Sequence, residues 1–343
     1  MKVLELFAGL GACSKALERL GIEHEIVDAV EIDKYAIASF NAIHGTNFEP
    51  QDITKWDKDI EVDLIMHGSP CQDFSVAGKQ AGGDVGSGTR SSLMYETIRI
   101  VGKLRPKYVI WENVKNLLSE KHKHNFDAYL ETMKALGYTN YYQVLNAKDY
   151  GIPQNRERVF TISILGEHKP FVFPEKQELK IRLKDILDDA VEEKFYLTDK
   201  NLKHYQREFG SKGKKLDLEQ PSPTLTAAMG SGGGNTPYFE ERCIRIGGIF
   251  DTEKSKHQAG SIWDKEGLAP TLDTMQGGYR QPLIENPPKI RKLTPKECWR
   301  LMGFSDEDFE KASKVNSNSQ LYKQAGNSIV VNVLMEIFKK LLN

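Results

Sequence analysis

A glycine turn between an apolar run and an amphipathic stretch, Phe7-Ala8-Gly9-Leu10-Gly11, does most to limit what this chain can fold into. Val3–Leu6 before it is strand-like, and Ala12–Leu20 after it has helical apolar spacing. A strand that turns tightly into a helix is the opening unit of a mostly parallel α/β sheet. The alternation continues, with strands expected at Glu25–Glu31, Val62–Met66, Tyr108–Trp111, Tyr142–Leu145 and Val159–Leu165. Helices are expected at Tyr35–His44, Ser92–Lys103 and Asn125–Leu136, where apolar residues recur three and four apart.

Past Phe171-Val172-Phe173-Pro174 the character changes. Residues 175–290 are rich in Gly, Pro, Ser and Thr, and no long helix is expected after Leu187. A second, smaller, loop-rich domain is the expectation. Thr294 then offers an N-cap, with Pro295 at N1 and Glu297 at N3, and Ser328–Leu342 forms a last helix that packs back into the main core. The boundaries expected are 1–175 with 320–343 for a discontinuous main domain and 176–319 for the small one, the Thr294 helix included.

Composition narrows the class. The 343 residues are 39% hydrophobic and 28% charged, as in a soluble globular protein of one large domain or two unequal ones. No apolar run reaches the ~18 residues of a membrane span, so no membrane association and no signal peptide are expected. Cys13, Cys71, Cys243 and Cys298 are widely spaced, which predicts neither a disulfide framework nor a metal site and suits a reducing, cytoplasmic setting. A net charge of −1 means that any nucleic acid must be met by a local patch. Lys200–Lys215 is one basic run, which reads first as a solvated loop and second as a phosphate-contacting surface.

Several residues stand where open α/β sheets carry chemistry, at the carboxyl ends of strands. Glycines at 9 and 11 let backbone approach a ligand closely, and Glu31 ends the next strand, where an acid suits ribose hydroxyls. Ser14 occupies the place where a dinucleotide fingerprint needs glycine, which disfavours a nicotinamide site. Gly68-Ser69-Pro70-Cys71-Gln72 follows the strand Val62–Met66 and leaves Cys71 open to two roles, nucleophile or loop packing. Cys13, Cys243 and Cys298 read as core or bystander residues. Glu112 beside Trp111 and Val114 is either a cap or a carboxyl whose pKa is raised enough to donate a proton.

Taken together, these motifs resemble the C5-cytosine DNA methyltransferases, nearly end to end and in the family's order. Phe7-x-Gly9-x-Gly11 is similar to the first motif, Gly68–Gln72 to the Pro-Cys motif and Glu112-Asn113-Val114 to the Glu-Asn-Val motif. Gln154-Asn155-Arg156-Glu157-Arg158 matches Gln-x-Arg-x-Arg, Arg291–Cys298 the ninth motif and Gly326-Asn327-Ser328 the tenth. The resemblance implies a Rossmann-like, S-adenosylmethionine-dependent fold with a small target-recognition domain. It implies Cys71 as the nucleophile on C6 of a flipped-out cytosine, Glu112 on N3, and Arg156 with Arg158 on O2 while orienting Glu112 or Cys71. For S-adenosylmethionine, which leaves as S-adenosylhomocysteine, it implies Phe7, Gly9, Gly11, Glu31, Ile32, Asp52, Ile53, Gly68, Pro70, Leu93, Asn327 and Ser328.

The partner implied is double-stranded DNA, handled by a monomer, with a cognate restriction endonuclease in some settings. The glycine-rich stretch 78–90 is expected to close over the flipped base, with Asp84, Val85 or Ser87 entering the duplex and Ser87 and Arg90 touching DNA. Gln258 is expected opposite the orphan guanine and Thr271 beneath a backbone phosphate. Arg280 and Arg245 are candidates for reading guanine or for holding structure, and Ser261 stands where some relatives carry a base-reading Arg. Competing expectations are a tRNA cytosine-5 methyltransferase, a catalytically silent nucleic-acid-binding relative and a nicotinamide oxidoreductase. Over 100 residues between the arginine and ninth motifs favour duplex DNA.

Overall fold

The computed structural model describes residues 1–70, 93–195, 225–226, 235–236, 245–248, 251–252, 261–263, 270, 283–286 and 289–342. The first half builds one sheet from β1 (Lys2–Leu6), β2 (Glu25–Val30), β3 (Leu64–His67), β4 (Tyr108–Val114), β5 (Tyr138–Asn146) and β6 (Glu157–Leu165). Helices α1 (Ala12–Arg19), α2 (Lys34–His44), α3 (Met94–Leu104) and α4 (Lys123–Ala135) fall between them. The strand order is β2-β1-β3-β4-β6-β5. Neighbours from β2 to β4 run parallel, and β6 runs antiparallel to both β4 and β5. That is the mostly parallel α/β sheet expected from the alternation.

Apolar side chains cover the sheet on both faces, as parallel strands require. Val3, Leu64, Met66 and Ile110 pack into one cluster with α1, while Leu4, Leu6, Ile65, Val109 and Trp111 pack into another with α3 and α4. Strand β4 is longer than expected. It stays paired with β6 through Val114, so Glu112 and Asn113 lie inside a strand rather than at its end.

The C-terminal region adds α5 (Pro295–Arg300), α6 (Asp306–Ser313), α7 (Asn318–Asn327) and α8 (Val331–Leu341). Helix α5 starts as its sequence dictates: the Thr294 hydroxyl accepts the Glu297 N–H at 3.2 Å and the Glu297 carboxylate accepts the Thr294 N–H at 2.7 Å. Its apolar face is buried with the first half of the chain. Leu293, Cys298, Trp299, Leu301 and Met302 are fully buried in the cluster that holds Leu10, Cys13 and Leu17 of the main domain. The indole of Trp299 donates to the Leu321 carbonyl at 3.0 Å. Thr294–Met302 thus packs into the core built around the large sheet. Helix α8 buries Val331, Val333, Leu334, Ile337 and Phe338 in the same core, as its amphipathic pattern predicts.

Between residues 196 and 292 the described elements are short strands: β7 (Leu225–Thr226), β8 (Asn235–Thr236), β9 (Arg245–Gly248), β10 (Ser261–Trp263), β11 (Leu283–Asn286) and β12 (Lys289–Lys292). The last four form one sheet in the order β12-β11-β10-β9.

Candidate active site

The parallel register decides which residues meet. His67 of β3 pairs with Trp111 of β4, so the chain beyond each strand end continues side by side: Gly68 along one and Glu112 along the other. A side chain placed at Gly68 would lie 3.7 Å from Oε2 of Glu112 and 3.4 Å from Ile329. On the other side, Val114 of β4 faces Arg158 of β6, which sets Arg158 diagonally across from Glu112 on the same face. Its Nε lies 3.1 Å from Oε1 of Glu112, with both side chains largely buried.

Glu112 is 8% exposed, and burial raises its pKa from the ordinary carboxylate value. The Arg158 and Arg156 charges oppose that rise. A buried acid between two guanidinium groups can hold or release a proton with little rearrangement.

Arg156, one residue before β6, reaches the end of α7. Its Nη2 donates to the carbonyls of Gly326 at 3.1 Å and Ser328 at 2.9 Å. It thereby ties the arginine segment to the chain between α7 and α8, while its charge still acts on Glu112. Gln154, fully buried, donates to the Leu301 carbonyl at 2.8 Å and fastens the same segment to α5.

The root of the Pro-Cys loop is held by a network the sequence did not announce. The Trp111 indole donates to Ser69 Oγ at 3.0 Å, and Asn113 Nδ2 donates to the Ser69 carbonyl at 3.2 Å. Below them, the buried His67 ring stacks on Trp111, with centroids 5.6 Å apart and planes 6° from parallel, and its Nε2 lies 3.2 Å from Tyr129 Oη. Alternation along β4 could have aimed Trp111 at β3, but no sequence signal names Ser69 as the acceptor. Cys71 itself lies outside the described residues, as do Ser87, Arg90, Gln258, Thr271, Arg280, Asp84, Val85 and Cys243.

The second half of the site lies at the ends of β1 and β2. Phe7, Gly9 and Gly11 all take left-handed backbone conformations, with φ of 54°, 55° and 74°. Glycine is required at 11 by space as well, since a Cβ there would sit 2.2 Å from Nε2 of His44 and 2.7 Å from Phe40. Glu31 follows β2 and accepts the N–H of Gly9 at 3.1 Å and of Asp33 at 2.9 Å. Burial raises its pKa too, against those bonds.

Ile32 is 71% exposed beside it, an apolar surface with no covering group among the described residues. Gln51 N–H donates to the Glu31 carbonyl at 2.8 Å and brings Asp52 and Ile53 alongside. Asp52 caps its own turn through Thr54, while Ile53 is buried. Leu93 precedes α3, partly buried against the same cluster, and Pro70 is half-buried. Asn327 is exposed at the end of α7 and Ser328 buried beyond it, beside Gly68 through Ile329.

These features suit S-adenosylmethionine: close backbone approach at two glycines, an acid for a ribose, and an uncovered apolar side chain for an aromatic ring. Farther along the chain, Arg245 is engaged within the protein. Its Nη2 pairs with Asp251 at 2.6 Å and its Nε donates to Ser261 at 2.8 Å, with both ion-pair side chains buried. Ser261 serves Arg245 as acceptor.

A family model for C-5 cytosine-specific DNA methylases matches residues 1–343. The chain belongs to that family. It is 34% identical to the type II methyltransferase M2.ScrFI of Lactococcus lactis subsp. cremoris, over 99% of each chain. It is also 34% identical to the type II methyltransferase M.HhaI of Haemophilus parahaemolyticus, over 98% of this chain and 93% of that one. The orphan methyltransferase M.SPBetaI of Bacillus phage SPbeta matches at 34%, over 100% and 98%. Among solved structures, Spodoptera frugiperda DNMT2 superposes with a TM-score of 0.69 at 20% identity over 100% of this chain and 99% of that one. S. pombe Dnmt2 does so at 0.65 and 16%, over 99% of each. Those two likenesses show the fold. This C5 methylase transfers methyl groups to cytosine in DNA, and its family takes them from S-adenosylmethionine. Among the described residues no helix is long and apolar enough to cross a membrane.

Proposed function

We propose that this enzyme methylates C5 of a cytosine flipped out of double-stranded DNA at a specific sequence, through a covalent bond between Cys71 and C6. The observation that carries this reading is the Glu112–Arg158 pair, 3.1 Å apart beside Gly68 at the root of the Pro-Cys loop. A C5 carbon is a weak nucleophile until C6 is saturated. The Cys71 thiolate forms the Sγ–C6 bond, and the displaced electron pair moves toward C5 and N3. Glu112 meets that charge at N3 as hydrogen-bond donor or acid, and Arg158 holds its carboxyl in place. S-adenosylmethionine, when bound, supplies an electrophilic methyl on a sulfonium. Loss of the C5 proton to a base, water in a closed site, then returns the electron pair and breaks the Sγ–C6 bond.

Phe7, Gly9, Gly11, Glu31, Ile32, Asp52, Ile53, Gly68, Pro70, Leu93, Asn327 and Ser328 would hold the cofactor, with no metal. Residues 1–175 and the C-terminal helices form the catalytic domain, and the strands up to Lys292 belong to a recognition domain. Ser87, Arg90, Gln258, Thr271 and Arg280 are the proposed DNA contacts. The names of the relatives support DNA over tRNA as substrate, and a role in restriction-modification or phage self-protection is in keeping with them. It works in the bacterial cytoplasm as a monomer, with or without a companion restriction endonuclease.

The test uses duplexes bearing 5-fluorocytosine at the target, located beforehand by bisulfite sequencing of plasmid from an expressing host. Fluorine blocks loss of the C5 substituent, so wild type should form a complex that survives denaturing gels and Cys71→Ala should not. A trapped complex with Cys71→Ala would move the nucleophile elsewhere.

A further inference from the structure

Three side chains hold the glycine turn and the first turn of α1. Glu5 on β1 accepts the Ser14 N–H at 3.0 Å, and Glu31 accepts that of Gly9 at 3.1 Å. His44, the last residue of α2, sets its Nε2 3.0 Å from the carbonyl oxygen of Leu10. Glu31 already has a place in the proposed ribose contact. His44 belongs to none of the motifs.

Facing a carbonyl, Nε2 must carry the hydrogen. Burial pushes the ring's pKa down to about 4, so at neutral pH His44 is uncharged and donates that one N–H. The other polar end of the same peptide unit is held as well, because the Gly11 N–H donates to the Ala8 carbonyl at 2.9 Å. The Leu10–Gly11 peptide plane is thus fixed at both ends. His44 packs against Phe40, ring centroids 4.6 Å apart, and this pair fills the space beneath Gly11.

Such anchoring matters because Gly9 and Gly11 both sit in the left-handed region, at φ of 55° and 74°. Glycines there have the widest choice of conformations, and a turn built on them drifts unless it is tied down. Backbone that approaches a ligand must present its peptide groups in one orientation, and a ligand that has to order them binds more weakly.

We infer that His44 is a positioning residue for S-adenosylmethionine, acting through the Leu10–Gly11 peptide. The inference rests on the assignment of the glycine turn to that cofactor under Proposed function. The experiment measures S-adenosylhomocysteine binding to the full-length protein by calorimetry, and steady-state methylation of duplex DNA with S-adenosylmethionine varied. His44→Phe keeps an aromatic ring on Phe40 but removes the donor; His44→Gln keeps a donor.

Loss of one such bond should raise the Kd of His44→Phe for S-adenosylhomocysteine about fivefold to tenfold. KM for S-adenosylmethionine should rise by the same factor, with kcat within about twofold of wild type, and His44→Gln should recover most of the affinity. If His44→Phe unfolds more readily in urea yet keeps the wild-type Kd, the residue is only structural and the inference fails. Should His44→Phe not fold, His44→Leu takes its place under the same criteria. A wild type that does not bind S-adenosylhomocysteine at all overturns the assignment of the turn itself, which separates that failure from failure at His44.

Discussion

Arg158 sits diagonally across the β4–β6 ladder from Glu112, two residue pairs along, and reaches its carboxylate at 3.1 Å. An antiparallel neighbour is what makes this possible. In a wholly parallel sheet the two segments would leave their strands in the same direction, whereas here Arg158 enters β6 at the edge where β4 ends.

Removing that guanidinium should damage catalysis more than binding. Arg158→Ala is expected to lower the single-turnover rate about 10²-fold or more, with S-adenosylhomocysteine affinity within about twofold of wild type. Glu112→Gln should be milder than Cys71→Ala, because an amide still donates to N3 but cannot pass a proton. Rapid-quench measurement on duplex DNA checks both. Wild-type rates in either variant would remove that side chain from the chemistry.

Ser69 offers a stability test. Trp111 is 1% exposed and its indole N–H donates to the Ser69 hydroxyl. Ser69→Ala strands that donor in a dry site, at a cost of about 1–3 kcal/mol. Urea unfolding should show the loss, and Ser69→Thr, which keeps the hydroxyl, should recover part of it. An unchanged midpoint in Ser69→Ala would mean that the indole finds another acceptor.

The pH dependence of stability follows from three buried groups. Burial pushes His67 down to about 3 and His44 to about 4, both from 6.5. Each is neutral in the fold and charged when unfolded over that range, so stability falls as pH drops from 6.5 toward those values. Burial pushes Glu5 the other way, from 4.5 up to about 7. The fold holds that proton more tightly, so its contribution is full below pH 4.5 and is lost as pH rises toward 7. His67→Phe should flatten the acid limb by about 1.4 kcal/mol per pH unit between 4 and 6. Glu5→Gln should steepen the rise between 4.5 and 6.5. Urea midpoints collected across that range decide both, and parallel curves for wild type and His67→Phe would deny the histidine its part.

Gln258 carries the prediction for the recognition domain. A flipped cytosine leaves a guanine edge without partners, and an amide can donate and accept there. Gln258→Ala should slow methylation about tenfold on a normal duplex, with S-adenosylhomocysteine affinity unchanged. On a duplex with an abasic site opposite the target the wild-type advantage should vanish. An advantage of equal size on both would give Gln258 another task.

How much of this the sequence shows depends on the range of the forces involved. Alternation and glycine placement are local, so the α/β sheet, the turn at Gly9 and Gly11, and the α5 cap at Thr294 are all legible. Helices α6 and α7 are not, because Phe309 and Ala312 in one and Leu321, Tyr322 and Ala325 in the other give too few apolar positions for a periodic pattern. Pairing across strands is hidden as well. That β4 extends through Glu112 depends on β6, and that Arg245 is committed to Asp251 and Ser261 depends on strands brought together by the tertiary fold. The motifs name Arg156 and Arg158 alike, yet only the fold separates one that grips Glu112 from one that grips the chain before α8.

The burial of α8 against α1 has a consequence for how freely the middle of the chain can vary. Because the helix from Val331 to Leu341 closes onto the core that begins at Lys2, the connection from Phe195, itself buried in that core, to Thr294 has both ends already held. Closing a longer loop adds only about 0.6 kcal/mol per doubling of its length. The core therefore tolerates large insertions and deletions there at little thermodynamic cost. The stretch proposed to face the DNA sequence can be rebuilt, lengthened or exchanged while the core proposed to make the carbon–carbon bond stays as it is.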